Sequence, residues 1–219
     1  MERKISFSPG EIYHIYNRGV NKQPIFFNDH DRFRFIILLF LMNGSKEIHI
    51  SNYRNLSFSD YFNINKGNSL VEILAYCLMD NHFHLVLKEK QDNGISQFML
   101  KLLTAYSMYF NKKHNRTGPL FEGRFKATHV SDDGQLEYLL AYVHLNPVKI
   151  KDENSWTGKV IKDTEDAEKF LKDYRFSSFQ SYLGDSRPEN LILSLNLSPE
   201  DFLSQKDIKQ LIEIWTKEV

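Results

Sequence analysis

Residues 71–88 read VEILAYCLMDNHFHLVLK, and this stretch decides the fold. Two mostly apolar runs, 71–79 and 82–88, flank Asp80-Asn81, a residue pair that favours tight turns. The pattern therefore predicts a β-hairpin. Because side chains alternate along a strand, His82 and His84 are expected on one face, with Phe83 and the leucines on the other. The apolar face can pack under helices, and the histidine face stays free to bind.

The segments around the hairpin predict the other elements of the fold. They are a strand at 12–16, a helix from 28–29 to 42, a helix at 95–113, a strand at 125–130 and a helix from 131–133 to about 145. The resulting order, β-α-β-β-α-β-α, predicts an α+β protein with a ferredoxin-like split β-α-β antiparallel sheet. Two helices are expected on one face of the sheet, and the last helix is an addition.

Domain organisation follows from changes in composition. Residues 1–150 form one predicted domain, in which 45–69 is Asn- and Ser-rich and is interpreted as a loop insertion. Residues 151–219 form an acidic, mostly helical C-terminal extension with helices at 164–174 and 206–217. The extension has fourteen acidic and nine basic residues from 152 to 219, whereas 96–130 has six basic residues and one acidic residue. This asymmetry indicates a local site for a polyanion.

Composition excludes several classes of protein. The 219 residues include 42% hydrophobic side chains, which fits a globular core and not a disordered chain. The only cysteine, Cys77, excludes an internal disulfide and a cysteine-based metal cluster. The longest uninterrupted apolar run, 35–42, is too short to span a bilayer. A cytoplasmic protein without a membrane partner is therefore expected.

Two short patterns suggest chemistry. Imidazoles at i and i+2 on a strand, as in His82 and His84, can converge on one divalent ion. On the last predicted helix, Tyr138, Tyr142 and Asn146 share a face. Asn146 can offer an amide oxygen to a metal, and Tyr142 an oxygen nucleophile. The alternative is two strand histidines without a role, a tyrosine at the rim of the core and an asparagine that caps the helix.

Basic residues and glycines suggest contacts with a phosphate backbone. The segment 118–126 reads GPLFEGRFK and combines two glycines, two aromatic and two basic residues. The alternative is a glycine-rich turn before a strand. The candidates for phosphate contacts are Arg18, Lys112, Lys113, Arg116, Arg124 and Lys126.

Taken together, these motifs resemble those of the single-tyrosine HUH transposases, in particular the REP-associated tyrosine transposases. The resemblance lies in DNHFHL at 80–85, FEGRFK at 121–126 and YVHLNPVK at 142–149. YHIYNRG at 13–19 and YRFSS at 174–178 are also similar to that subgroup.

The resemblance implies a ferredoxin-like core and an enzyme that cleaves and rejoins single-stranded hairpin DNA. It implies a divalent ion, Mg²⁺ or Mn²⁺, held by His82, His84 and Asn146, with Tyr142 as the nucleophile that forms a 5′-phosphotyrosine. Asn146 stands where many relatives in the wider family have a glutamine. Relatives often work as dimers, so a homodimer is possible, with the tyrosine acting on its own subunit or on the other.

Three other functions stay open at this point. A protein that nicks or binds hairpin DNA for a host role, without mobilising it, would use the same residues. A metal-dependent phosphodiester hydrolase would use His82 and His84 and would survive the loss of Tyr142. A DNA-binding protein that has lost its chemistry would need none of them, although the complete set of residues argues against it.

Overall fold

The computed structural model describes residues 6–53, 55–151 and 164–194, together with residues 207 and 210. The strands are β1 (Ile12–Arg18), β2 (Val71–Leu78), β3 (His82–Glu89) and β4 (Lys126–Val130). The helices are α1 (Asp29–Met42), α2 (Gly94–Lys113), α3 (Asp133–Leu145), α4 (Val148–Lys151), α5 (Thr164–Asp173) and α6 (Phe179–Tyr182). Among these described residues, no helix combines the length and apolar character that crossing a membrane requires.

The four strands form one antiparallel sheet in the order β2-β3-β1-β4. With two helices inserted between its strands, this is the split β-α-β arrangement, so the predicted ferredoxin-like α+β fold is confirmed. The predicted hairpin is β2 and β3, joined at Asp80 and Asn81. This order places β1 and β3 side by side at the centre of the sheet.

The larger core lies between the sheet and the pair α1 and α2. The inward face of β3 contributes Phe83, Leu85 and Leu87, all fully buried. The Phe35 ring of α1 lies 5.1 Å from that of Phe83 and 4.9 Å from that of Tyr106 in α2. These apolar side chains are the ones that the alternation of the hairpin places on one face, so their burial fixes which way the histidines point.

Helix α3 covers part of the opposite face of the sheet. Leu139 and Val143 on α3 pack with a small cluster that includes Cys77 of β2 and Val86 of β3. The helix begins where the sequence predicts, because the Asp132 side chain accepts a hydrogen bond from the Gln135 amide at 2.9 Å. The histidine face is therefore partly covered and not fully open, and α3 rests directly on it.

Segment 45–69 is mostly irregular, as predicted, with 3₁₀ turns at Ile50–Tyr53 and Ser59–Asn63. Tyr61 and Phe62 are buried in the larger core, and the Phe62 ring lies 5.3 Å from that of Phe40 on α1. The segment is therefore attached to the outer helical layer by its own aromatic side chains.

The described part of the C-terminal segment packs against β2. The predicted helix at 164–174 corresponds to α5. Backbone bonds then join the chain to the edge of the sheet, from Leu78 N–H to Phe176 O (3.0 Å) and from Ser178 N–H to Tyr76 O (2.9 Å). Of the predicted helix at 206–217, only residues 207 and 210 are described, and both are helical. The domain boundary at 150 stays a prediction.

A buried carboxylate joins the two outer helices. Asp31 is fully buried on α1 and accepts hydrogen bonds from Lys113 Nζ (2.7 Å) and Tyr109 Oη (3.0 Å) on α2, and from the Phe27 backbone (3.0 Å). Burial alone raises the pKa of this carboxyl. The hydrogen bonds, led by that from Lys113, outweigh burial, so the pKa lies below its usual value.

Replacing Asp31 with asparagine is therefore expected to destabilise the protein by about 2 kcal/mol, because the charge-assisted hydrogen bond from Lys113 is lost. Since the folded pKa is lowered, the stabilisation is present above the unfolded pKa of about 3.9 and is lost as the pH falls through the folded value. Urea unfolding of both proteins between pH 7 and pH 3 measures this. The control is Asp29→Asn, whose carboxylate is exposed and should change stability by less than about 1 kcal/mol. Equal losses for the two variants would contradict the assignment.

Candidate active site

The pairing of β1 with both neighbours assembles the candidate site. In register, Tyr16 of β1 lies opposite His84 of β3 and Lys126 of β4. Two residues earlier in β1, His14 lies opposite Val86. Directly opposed residues in antiparallel strands project to the same face, as do residues two apart on one strand. The face that carries the histidine pair therefore also carries His14, Tyr16 and Lys126.

Three histidine rings lie together on this face. The ring centroids of His82 and His84 are 5.0 Å apart, and those of His14 and His84 are 5.1 Å apart. His14 Nε2 lies 2.9 Å from His84 Nδ1, a hydrogen-bond distance. His84 is 5% exposed, whereas His82 at the start of β3 is only partly buried. Burial lowers the pKa of His14 to about 4.

The donor set fits a divalent cation held by few protein ligands. His82 Nδ1 lies 2.6 Å from Asn81 Oδ1, and His84 Nδ1 faces His14. With each Nδ1 engaged in this way, both rings would coordinate a metal through Nε2, the arrangement typical of ligand histidines. Among the described residues, no cluster of three or more His, Cys, Asp or Glu side chains forms a metal site. Further ligands would therefore be an amide oxygen, water or the substrate.

Tyr142 lies against the histidines of its own chain. Its ring meets that of His84 edge to face at 5.3 Å and that of His14 at 6.0 Å. The side chain is half-buried. Tyr138, one turn earlier on α3, stacks on Tyr142 with the ring centroids 6.5 Å apart. Helix α3 thus brings a phenol to the two-histidine face.

Asn146 follows Tyr142 by one turn, at the C-cap of α3. It is 1% exposed, and its Nδ2 donates a hydrogen bond to the Tyr142 carbonyl at 3.2 Å. Asn146 therefore caps the helix, which is the structural role that the sequence offered as the alternative to metal binding. The same bond fixes the amide plane, and the side-chain oxygen is the atom that would ligate a hard cation.

His144 has a structural role. It is fully buried, and its Nε2 lies 2.8 Å from Ser178 Oγ, which also accepts a hydrogen bond from the Tyr76 amide on β2. Burial lowers the pKa of His144 to about 3, so the ring is neutral at physiological pH. This contact ties the helix that carries Tyr142 to the edge of the sheet.

Three of the basic candidates lie near the histidine face. Arg18 ends β1 opposite His82, Lys126 begins β4 opposite Tyr16, and Arg124 is exposed in the loop before β4. The Arg18 guanidinium pairs with Glu122, with Nη2 to Oε2 at 2.9 Å, and both side chains are exposed. This pair joins the loop of residues 118–125 to the end of β1.

The other three basic candidates lie in the outer helical layer. Lys113 is engaged by Asp31, and Arg116 lies over the Phe110 ring at 5.5 Å. Lys112 lines a cavity of about 530 Å³ between α1, α2 and segment 45–69. The sheet separates these residues from the histidines, so the structure does not bring all six together.

The prediction from sequence gave no role to His14 or Tyr16. Both belong to the quoted motif at 13–19. They alternate along their strand with apolar residues, as His82 and His84 do along theirs. In the predicted fold β1 lies beside β3, so this alternation could have indicated that His14 and Tyr16 share the face of the histidine pair. Pairing alone could not reveal the 2.9 Å contact between His14 and His84, because it depends on register and ring orientation.

Chemically, the arrangement places a phenol oxygen, two imidazoles and peripheral cations around one face. A phosphodiester there can be oriented by cations, polarised by a metal and attacked by a side-chain hydroxyl. In this structure all of these groups come from one protomer.

Comparisons with known proteins give a match to one family and a match to one solved structure. Residues 38–146, about half of the chain, match the family described as Transposase IS200 like. None of the curated proteins compared with the chain matches it. A solved structure described as "Structure of the REP associates tyrosine transposase bound to a REP hairpin" matches with a TM-score of 0.50 at 14% identity. That match covers 86% of this chain and 90% of the other, and it shows a shared fold.

The family match begins within α1 and ends at Asn146, so it contains both the complete histidine strand and the tyrosine helix. The chain belongs to the IS200-like transposase family.

Proposed function

We propose that this transposase cleaves and rejoins single-stranded DNA through a covalent bond to Tyr142, with a divalent ion, Mg²⁺ or Mn²⁺, bound at the histidine face. The observation that carries the proposal is the 5.3 Å edge-to-face contact between the Tyr142 and His84 rings within one chain. His82, His84 and the Asn146 amide oxygen would hold the ion. When bound, the ion would neutralise charge on the scissile phosphate.

The substrate we propose is a DNA hairpin with a single-stranded segment. The solved relative is described as bound to a REP hairpin, which supports this substrate class. Arg18, Arg124 and Lys126 would contact phosphates around the histidine face, since exposed cations give affinity without reading the sequence. Glu122 would compete with the DNA phosphates for Arg18, because the two side chains form an ion pair when no DNA is bound.

The chemical step is a transesterification. Tyr142 Oη forms a bond to phosphorus, the bond from phosphorus to the 3′ oxygen breaks, the phenol gives up its proton and the leaving 3′ oxygen gains one. The product is a 5′-phosphotyrosine, which a 3′-hydroxyl can later attack in the reverse sense. Helix α3 keeps the phenol at the site through the contact of His144 with Ser178.

Covalent capture tests this proposal. The protein is mixed with labelled single-stranded hairpins and Mn²⁺, and the products are separated on a denaturing gel, with a chelator as control. We expect a protein-linked label that needs both hairpin and metal. Free cleaved DNA with multiple turnovers and no linked label would instead indicate a hydrolase. Binding without cleavage over a broad pool of hairpins would indicate a DNA-binding protein.

A further inference from the structure

We propose that His14 is a positioning residue for the metal site, and that its Nε2 accepts the Nδ1 proton of His84. This inference rests on the proposed function, because it assigns His84 as a metal ligand. His14 lies outside the part of the chain that matches the family, and no comparison gives it a role.

The proposed role of His84 as a metal ligand selects the direction of this hydrogen bond. The two nitrogens, His14 Nε2 and His84 Nδ1, are 2.9 Å apart and point at each other. If His14 donated, the neutral His84 ring would carry its proton on Nε2, and that atom could not bind a cation. If His84 donates, Nε2 keeps its lone pair for the metal. A neutral imidazole that ligates through one nitrogen and donates from the other is the usual arrangement at metal sites.

The surroundings of His14 hold its ring in the required orientation. The ring lies 4.9 Å from that of Tyr16 and packs nearly parallel to that of His84, with an interplanar angle of 26°. It also meets the edge of Tyr142 at 6.0 Å. His14 therefore contacts both the ligand and the nucleophile, although its Nε2 faces a protein nitrogen and does not itself serve as a ligand.

Asn81 makes the matching contact for the other histidine. Its Oδ1 lies 2.6 Å from His82 Nδ1, so an amide oxygen would fix the tautomer of His82 as His14 would fix that of His84. An oxygen can only accept, which sets the proton of neutral His82 on Nδ1. The two ligand histidines would thus have the same tautomer, with both Nε2 atoms presented to one ion.

Two substitutions separate this role from simple packing. His14→Phe keeps an aromatic ring between Tyr16 and Tyr142 but removes the acceptor. His14→Gln loses the ring, but its side-chain oxygen can reach the position of Nε2. A packing role predicts that Phe is tolerated and Gln is not, whereas the proposed role predicts the opposite order for metal binding.

The first measurement is the long-range ¹H–¹⁵N spectrum of the metal-free protein with labelled histidines, with His84 assigned from His84→Ala. We expect the Nδ1–H tautomer for His84 in the wild type and in His14→Gln, and loss of that preference in His14→Phe. The second measurement is Mn²⁺ affinity by calorimetry. His14→Phe should bind about 10- to 100-fold more weakly, and His14→Gln should stay within a few-fold of the wild type.

The outcomes distinguish a failure of the role of His14 from a failure of the metal site itself. An Nε2–H tautomer of His84 in the wild type would overturn the role of His14, and so would unchanged Mn²⁺ affinity in His14→Phe. Absence of Mn²⁺ binding by the wild type would overturn the metal site in the proposed function. Urea unfolding confirms that each variant is folded before its affinity is compared.

Discussion

Replacing Tyr142 with phenylalanine is expected to abolish covalent capture of hairpin DNA, lowering its rate by at least about 10³-fold. The substitution removes the oxygen that we propose as the nucleophile, so a 5′-phosphotyrosine could not form at this residue. The ring that meets His84 at 5.3 Å and His14 at 6.0 Å remains, so the packing of α3 should be preserved. DNA affinity, measured by fluorescence anisotropy, should change by no more than a few-fold.

Tyr138→Phe is the matched control, because it removes a phenol oxygen from the same face of the same helix. The two rings stack on each other, and both side chains are half-buried. This variant should capture DNA at close to the wild-type rate. Loss of capture in Tyr138→Phe with retention in Tyr142→Phe would identify Tyr138 as the nucleophile. Retention in both would exclude a role for this face of α3 in covalent chemistry.

Local sequence patterns predicted the hairpin because one alternation of side chains accounts for both of its faces. The alternation that buries Phe83, Leu85 and Leu87 also places His82 and His84 together, so a one-residue shift in register would turn the histidines towards α1 and α2 and the apolar side chains away from them. The start of α3 was predictable for a similar local reason, since Asp132 caps it three residues before Gln135. The spacing of Tyr142 and Asn146 follows from helix geometry alone.

Contacts between distant parts of the chain were not predictable from local patterns. Lys113 was a candidate for DNA contacts because it belongs to the basic segment 96–130. Its partner Asp31 lies 82 residues earlier, and only the packing of α1 against α2 brings the two together. The contact of His14 with His84 spans 70 residues and likewise depends on the pairing of β1 with β3.

The attachment of the C-terminal segment to β2 is a third example. Residues 176–178 have no strong alternation and carry two serines, a composition that favours a loop. They pair with the edge of β2 because it offers unsatisfied backbone groups, and His144 and Ser178 add a side-chain contact. The position of α3, and with it the candidate site, thus depends on contacts with this segment.

Replacing either His82 or His84 with alanine is expected to lower Mn²⁺ affinity by more than about 100-fold. Loss of a residue that only orients a ligand costs about 10- to 100-fold, and loss of a ligand itself should cost more. Covalent capture should fall with it at a fixed metal concentration. Calorimetry with Mn²⁺ measures the affinity, and a titration of capture against Mn²⁺ shows whether excess metal restores the reaction.

His129→Ala is the control, because His129 is also a strand histidine and lies on the opposite face of the sheet, opposite Tyr13 in β1. Its partner is Glu11, and both side chains are partly exposed, so its loss should leave Mn²⁺ affinity unchanged. His84 is 5% exposed, and its removal leaves a cavity, whereas His82 is only partly buried and tests the ligand role with less risk to folding. If His82→Ala is folded, binds Mn²⁺ as tightly as the wild type and still captures DNA, the histidine face is not the metal site. If His82→Ala is folded but loses both Mn²⁺ binding and DNA capture, the two imidazoles and Tyr142 belong to one functional site.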